Sequence, residues 1–348
     1  MKTAAPRHHV IVGSGVAGAQ AARTLRAREP EARISMLTLA SLPFYNRYDL
    51  PQVFRGRQDW HQFLVDPPEY YTENRIELRR CTQVANVDSQ RKVITLGHNE
   101  EMHYDTLVVA SGGRSYLPEE LSEFRHLLDG FGSYEQAMVV RRKVPEGGTV
   151  MLLGGDMIGL DLARTLLDTG HKVVLVTDEH TFWPHQVTDD EKKELLTVLE
   201  RMGVEIIAGD CEGGIDAIQE GAKGLPARRV IFGGGRDRYA DVIMPFYGLH
   251  PSVEFMLGSG VDIERGLLVK KSLRTTNDAI WAAGDVCQIW SDEEKRYRFY
   301  YGWKNVRAMG ELAARNITGE DEAFEPTQDE SLHIHDGVTI HSPFWEYA

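Results

Sequence analysis

Two segments of this chain, beginning at residues 8 and 149, repeat one another. The first runs from the apolar stretch 8–12 into Gly13-Ser14-Gly15-Val16-Ala17-Gly18 and then an Ala-rich stretch, 19–28. The second runs from 149–153 into Gly154-Gly155-Asp156-Met157-Ile158-Gly159 and then the Leu-rich 160–168. A further apolar stretch follows each, at 33–38 and at 171–177. Strand, Gly-rich turn, helix and strand make a βαβ unit, which implies a parallel sheet covered by helices. Finding it twice predicts an α/β chain with two similar nucleotide-binding domains.

Each glycine of such a turn has a mechanical task. The first permits the tight turn, the second lets the backbone touch a pyrophosphate, and the third lets helix and strand pack closely. The helix N-terminus then offers free amides and a partial positive charge to the phosphates. The turn Gly13–Gly18 meets every condition. In the second turn Asp156 replaces the middle glycine and brings a carboxylate to the place of a phosphate. Two unit charges about 4 Å apart repel by roughly 1 kcal/mol in water and about 4 kcal/mol at an effective dielectric near 20. That weakens binding by about one to three decades unless Asp156 turns away or a cation shields it. A βαβ unit kept only for packing is the alternative. Dinucleotide sites usually carry an acid after the second strand, to hold ribose hydroxyls. The first unit has Thr38-Leu39-Ala40 there; the second has Thr177-Asp178-Glu179, whose acids disfavour a 2′-phosphate and so favour NADH over NADPH.

Elsewhere the patterning predicts strands at 75–78, 83–88, 92–96 and 102–110, then a polar crossover ending near Pro118. Helices are expected at 188–202 and 300–317, and strands at 204–208, 228–232, 242–244, 266–269 and 279–283. The net charge of −13 speaks against nucleic acid or an anionic membrane as partner. No apolar run approaches the roughly 18 residues of a membrane span, and the N-terminus lacks the apolar core of a signal peptide, so a cytoplasmic protein is expected. Cys81, Cys211 and Cys287 are dispersed without a CxxC pair, which argues against a disulfide framework or a zinc site. His333, His335 and His341 have a spacing that neighbouring strand positions also produce, and no metal is expected.

Three further motifs narrow the reading: Leu42-Pro43-Phe44-Tyr45-Asn46-Arg47, the stretch from Tyr104 to Gly112, and Thr275-Thr276-Asn277-Asp278-Ala279-Ile280-Trp281-Ala282-Ala283-Gly284-Asp285. With the two glycine turns, they make the chain resemble the pyridine nucleotide–disulfide oxidoreductase superfamily over about residues 8–320. Within it the chain is most similar to the rubredoxin/ferredoxin-reductase and nitrite-reductase-like NADH:flavin branch. The resemblance implies two Rossmann-like dinucleotide-binding domains, the second inserted in the first. Segments 1–115 and 255–320 would bind FAD, 116–254 would bind NAD(P)H, and the tail 321–348 would be a remnant of the family's interface domain.

The same resemblance assigns FAD contacts to Gly13, Ser14, Gly15, Val16, Ala17, Gly18, Arg47, Val84, Ala110, Ser111, Gly112, Asp285 and Trp303. Asp285 would bond a ribityl hydroxyl. It assigns NAD(P)H contacts to Gly154, Gly155, Asp156, Met157, Ile158, Gly159, Asp161, Thr177, Asp178 and Gly248. Hydride would pass from NADH to the flavin, and electrons onward to an acceptor such as rubredoxin, ferredoxin or another subunit. The cofactor carries that chemistry, so no side chain is nominated as catalytic. Departures stand out: no acid at Leu39-Ala40, Gln52 near the place of a basic residue, and Asp161 for the family's Glu. No cysteine precedes Cys81, which argues against disulfide, peroxide or coenzyme A-disulfide chemistry. A non-catalytic FAD-binding subunit or redox sensor with a degraded nicotinamide site is the competing expectation. Arg296, Arg298, Lys304, Arg307 and Arg315 cluster in sequence, and would offer an acidic carrier a basic face.

Overall fold

The computed structural model describes residues 6–208, 215–221, 227–327 and 331–342. Its α-helices are α1 (Val16–Arg28), α2 (Pro68–Glu73), α3 (Tyr134–Lys143), α4 (Met157–Asp168), α5 (Asp189–Met202) and α6 (Trp303–Ile317). One all-parallel sheet has the spatial order Ile280–Ala282, Thr106–Val109, His8–Val12, Arg33–Leu37 and Ile76–Arg79. Its central strands are buried on both faces, and so read as unbroken apolar runs rather than alternation. α1 and α6 pack on this lobe almost backbone to backbone: a Cβ at Gly310 would stand 2.2 Å from the carbonyl oxygen of Ala17. The Ala-rich sequence of α1 is the consequence of that approach, since larger side chains would hold the helices apart.

A second parallel sheet has the order Glu205–Ala208, Lys172–Thr177, Thr149–Gly154 and Val242–Phe246. The chain thus forms two Rossmann-type lobes. In each, the crossovers leave the first strand in opposite directions. The switch points lie between His8–Val12 and Thr106–Val109, and between Thr149–Gly154 and Val242–Phe246. Crevices at the carboxyl ends of such strands are where α/β sheets bind ligands.

The expected polar crossover after residue 113 is half of a two-stranded link, in which Gly113–Ser115 pairs antiparallel with Leu249–Pro251. The expected strand 102–110 is two strands. Glu101–His103 joins an antiparallel sheet with Val84–Asp88 and Val93–Leu96, while Thr106–Val109 joins the parallel sheet. The break falls at Asp105, whose carboxylate accepts the His8 amide at 2.7 Å. The last helix starts at Trp303 rather than residue 300, because Gly302 turns the chain at φ +90°. α5 begins with the capping box its sequence spells, Thr188 with Glu191. α3 was not anticipated; Ser133 caps it through the Gln136 amide.

The tail touches both lobes. Phe324 is buried in the first core, and the Thr327 amide donates to Asn305 Oδ1 at 2.8 Å. The hairpin His333–His335/Thr339–His341 lies on the second lobe, where Leu332, Ile334 and Ile340 pack against its core. Among the described residues no helix is long and apolar enough to cross a membrane.

Candidate functional site

Three turns converge at the carboxyl end of the first sheet. Gly13 sits at φ +112°, where a Cβ would lie 2.0 Å from the Ala110 carbonyl oxygen, and Gly18 is equally crowded by the Gly13 carbonyl. Gly15 differs, because no atom stands within 4 Å of the place its Cβ would take. α1 has no side-chain cap, and the amides of Val16, Ala17 and Gly18 donate to nothing among the described residues. A row of unsatisfied donors at the positive end of a helix suits an anion such as a diphosphate.

Asp285 follows at the end of Ile280–Ala282. The Ala283 amide bonds the Val109 carbonyl at 3.0 Å, and a Cβ on Gly284 would lie 3.2 Å from Ala17, which sets Asp285 beside the start of α1. Its carboxylate accepts no hydrogen bond from the described residues. Burial pushes its pKa up to about 6, with the Arg47 charge pulling the other way. An acceptor held there without a partner matches a hydroxyl donor. Trp303 completes the group, with its indole 6.2 Å from the rings of both Phe44 and Tyr48. Around these, the Ser111 hydroxyl donates to the Ser252 carbonyl at 2.8 Å. Gly112 turns the chain at φ +65°, and Val84 is buried just past Thr82, whose amide bonds Thr38. The position lacking a ribose acid is occupied by Leu39, 72% exposed. These residues can hold a dinucleotide by its diphosphate and accept from its hydroxyls.

The second lobe departs from expectation. The Asp156 carboxylate does not project toward an outer phosphate; it is 3% exposed and caps α4 from within. Oδ1 accepts from the Gly159 amide at 2.9 Å, and Oδ2 from the Gly248 amide at 3.0 Å. Burial raises its pKa to about 6, against the lowering effect of those amides. The Met157 amide donates to the Trp183 carbonyl at 3.0 Å, and the Phe182 amide to the Gly155 carbonyl at 2.9 Å. Thr177 is buried with its hydroxyl toward the Ile207 carbonyl. Asp178 closes a local turn, its Oδ1 taking the His180 amide at 2.7 Å. Ile158 lies partly buried on the same turn, and Asp161 is exposed one helical turn on. Gly154 and Gly155 both sit at positive φ, as the tight turn requires.

A cavity of about 1020 Å³ lies between the lobes, walled by Tyr116, His180, Trp183, Tyr247, Arg265 and Tyr301. The segment 180–186, which covers the second turn, had no motif to announce it, and the tail hairpin had only the strand-like spacing of His333, His335 and His341. The expected basic face is largely neutralised by its own acids. Arg296 and Arg298 both pair with Glu294, and Arg315 pairs with Glu320 and Glu322. Cys287 is buried, its thiol pushed up by burial and bonded to the Gly284 carbonyl, so it packs rather than reacts. Cys81 is exposed and unpaired; Cys211 lies outside the described residues. Among these residues no cluster of His, Cys, Asp or Glu is arranged to hold a metal ion.

The family model described as pyridine nucleotide-disulphide oxidoreductase matches residues 7–309. The chain belongs to that family. It is 27% identical to the nitric oxide reductase FlRd-NAD(+) reductase of Aliivibrio fischeri, over 80% of this chain and 72% of the relative. It is 28% identical to the rubredoxin-NAD(+) reductase of Pseudomonas putida, over 79% of this chain and 71% of the relative. The fold matches the covalent putidaredoxin reductase–putidaredoxin complex with a TM-score of 0.81 at 23% identity, covering 91% of this chain and 77% of that one.

Proposed function

We propose that this chain is an FAD-dependent oxidoreductase that takes a hydride from NADH, with NADPH second, and passes electrons to a small redox protein. One observation carries the reading. The open amides of α1, the Asp285 carboxylate that accepts from no described residue and the Arg47 charge meet at one switch point, in a family of pyridine nucleotide oxidoreductases. Bound flavin would supply two-electron uptake from a dihydronicotinamide and its release to an acceptor. The chain's own residues do the rest. Val16, Ala17 and Gly18 amides would hold the diphosphate, Gly15 leaves room for it, Asp285 would accept from a hydroxyl, and Arg47 would favour an anionic reduced state. On this reading 1–115 and 255–320 form the FAD unit and 116–254 the nicotinamide unit. The turn Gly154–Gly159 with Gly248 and Asp178 would line the dinucleotide site once the Asp156 carboxylate moves aside, over the buried Thr177, with Asp161 toward the nicotinamide end. The names of the relatives, a rubredoxin and a flavorubredoxin-type reductase, support a carrier protein as acceptor.

The self-capped second turn favours one competing reading, a flavin-binding subunit that no longer uses NADH. Adding NADH without air to the purified yellow protein separates the two. Bleaching within the mixing time supports the oxidoreductase. A protein that dithionite bleaches and NADH does not supports the subunit.

A further inference from the structure

The second lobe has the parts of a dinucleotide site without their freedom. Its switch point lies between Thr149–Gly154 and Val242–Phe246, and the Asp156 carboxylate bridges the two sides. One oxygen takes the Gly159 amide at the start of α4, and the other takes the Gly248 amide just past the second strand. These donors are of the kind a diphosphate needs at a helix N-terminus, and here a carboxylate holds them at 2.9 and 3.0 Å. The neighbouring Met157 amide is taken by the Trp183 carbonyl. The Trp183 ring lies against Gly248 so closely that a Cβ there would come within 2.6 Å of it.

The covering segment is itself anchored. The Thr181 hydroxyl donates to the Gly154 carbonyl. Trp183 meets the Tyr301 ring of the first lobe at 4.6 Å. His185 Nε2 stands 2.8 Å from the Ser342 hydroxyl at the end of the tail hairpin. The apolar face of that hairpin is buried on the same lobe.

We infer that Asp156 is a built-in competitor of the dinucleotide diphosphate, so that a nicotinamide dinucleotide enters only by displacing this carboxylate and the Trp183 segment from the start of α4. The inference rests on reading the second lobe as the nicotinamide site. It differs from simple repulsion, because bonds within the chain must break before bonds to the ligand form. The free energy of those charge-assisted bonds is subtracted from the affinity.

The test is calorimetric titration of the flavin-loaded protein with NAD+, which cannot reduce the flavin. Asp156→Ser keeps a cap for Gly159, releases Gly248 and removes the charge; Asp156→Asn does nearly the same at constant shape. Both variants are expected to bind NAD+ about tenfold to a hundredfold more tightly than the unaltered chain. A residue with only a structural role would give weaker binding when replaced. Equal or weaker binding by whichever variant keeps its flavin overturns the inference and leaves the nucleotide reading standing, provided the unaltered chain binds NAD+. If neither the chain nor a folded variant binds NAD+, the nucleotide reading fails and the inference falls with it.

Discussion

The two glycine turns begin from nearly the same spelling and end with their backbone donors in opposite conditions. At Gly13–Gly18 the helix start is bare and the nearby acid, Asp285, accepts no hydrogen bond from the described residues. At Gly154–Gly159 the acid is inside the turn, and its two oxygens satisfy two amides. Burial lifts both carboxyls to about 6, although Asp156 is buried and Asp285 only partly so, so the direction of the shift does not distinguish them. Bonding does. An unsatisfied buried group is costly to leave unmade, and the first lobe leaves its groups for a ligand, whereas the second lobe satisfies its own. A Gly-rich motif therefore reports the shape of a turn, and the side chain at its middle position reports whether the amides are available.

The largest expected effect comes from removing the shape itself. Gly13→Ala places a Cβ 2.0 Å from the Ala110 carbonyl, at a φ that L-residues rarely adopt. It should lower the melting temperature by about 10 °C or more, as a strained and overpacked backbone requires. A melting curve within 2 °C or so of the parent would mean that the turn relaxes freely.

The pH dependence of stability comes next. The folded Asp156 carboxyl keeps its proton up to about pH 6, whereas the unfolded one releases it near 3.8. Between those values the folded state binds more protons, so raising the pH through this window lowers stability, by about 3 kcal/mol at most for this group. Unfolding of the unaltered chain and of Asp156→Ser at pH 4.5 and 7 checks it. The parent should gain on the variant as pH falls, and parallel curves would contradict the assignment.

Replacing the two acids sharpens the contrast further. Asp156→Ala leaves two buried amides without partners and should cost about 1–3 kcal/mol, the lost bonds outweighing relief of the buried charge. Asp285→Asn leaves none, so the flavin-free protein should melt no lower than the parent while its flavin content falls. A drop in both would show that Asp285 has a structural partner.

The smallest expected effect on stability is that of Gly15→Ala, within about 0.5 kcal/mol, because the added methyl meets nothing. Its flavin affinity should nevertheless fall about tenfold, since the methyl occupies the approach to the backbone.

Much of this was legible in the sequence because it follows from strands buried on both faces and from glycines that the packing demands. Gly13 and Gly18 could be read by spacing, and Asp285 by its Ala-Ala-Gly context. The direction of the Asp156 side chain could not, since it depends on the Gly248 amide, 92 residues away. Segment 180–186 and the tail hairpin were hidden for a similar reason. Apart from the strand-like spacing of the three tail histidines, their sequences carry no periodicity or glycine pattern of their own, and what fixes them is contact with Met157, Tyr301 and each other. The split of 102–110 followed from one distant bond, Asp105 to the His8 amide.

The contrast between the turns is tested most directly by amide hydrogen exchange on the flavin-free protein, followed by addition of FAD. The amides of residues 16–18 should exchange fast and become protected when FAD is added, while those of 156–160 should already be slow and stay so. Slow exchange at 16–18 before FAD, or fast exchange at 156–160, would contradict it.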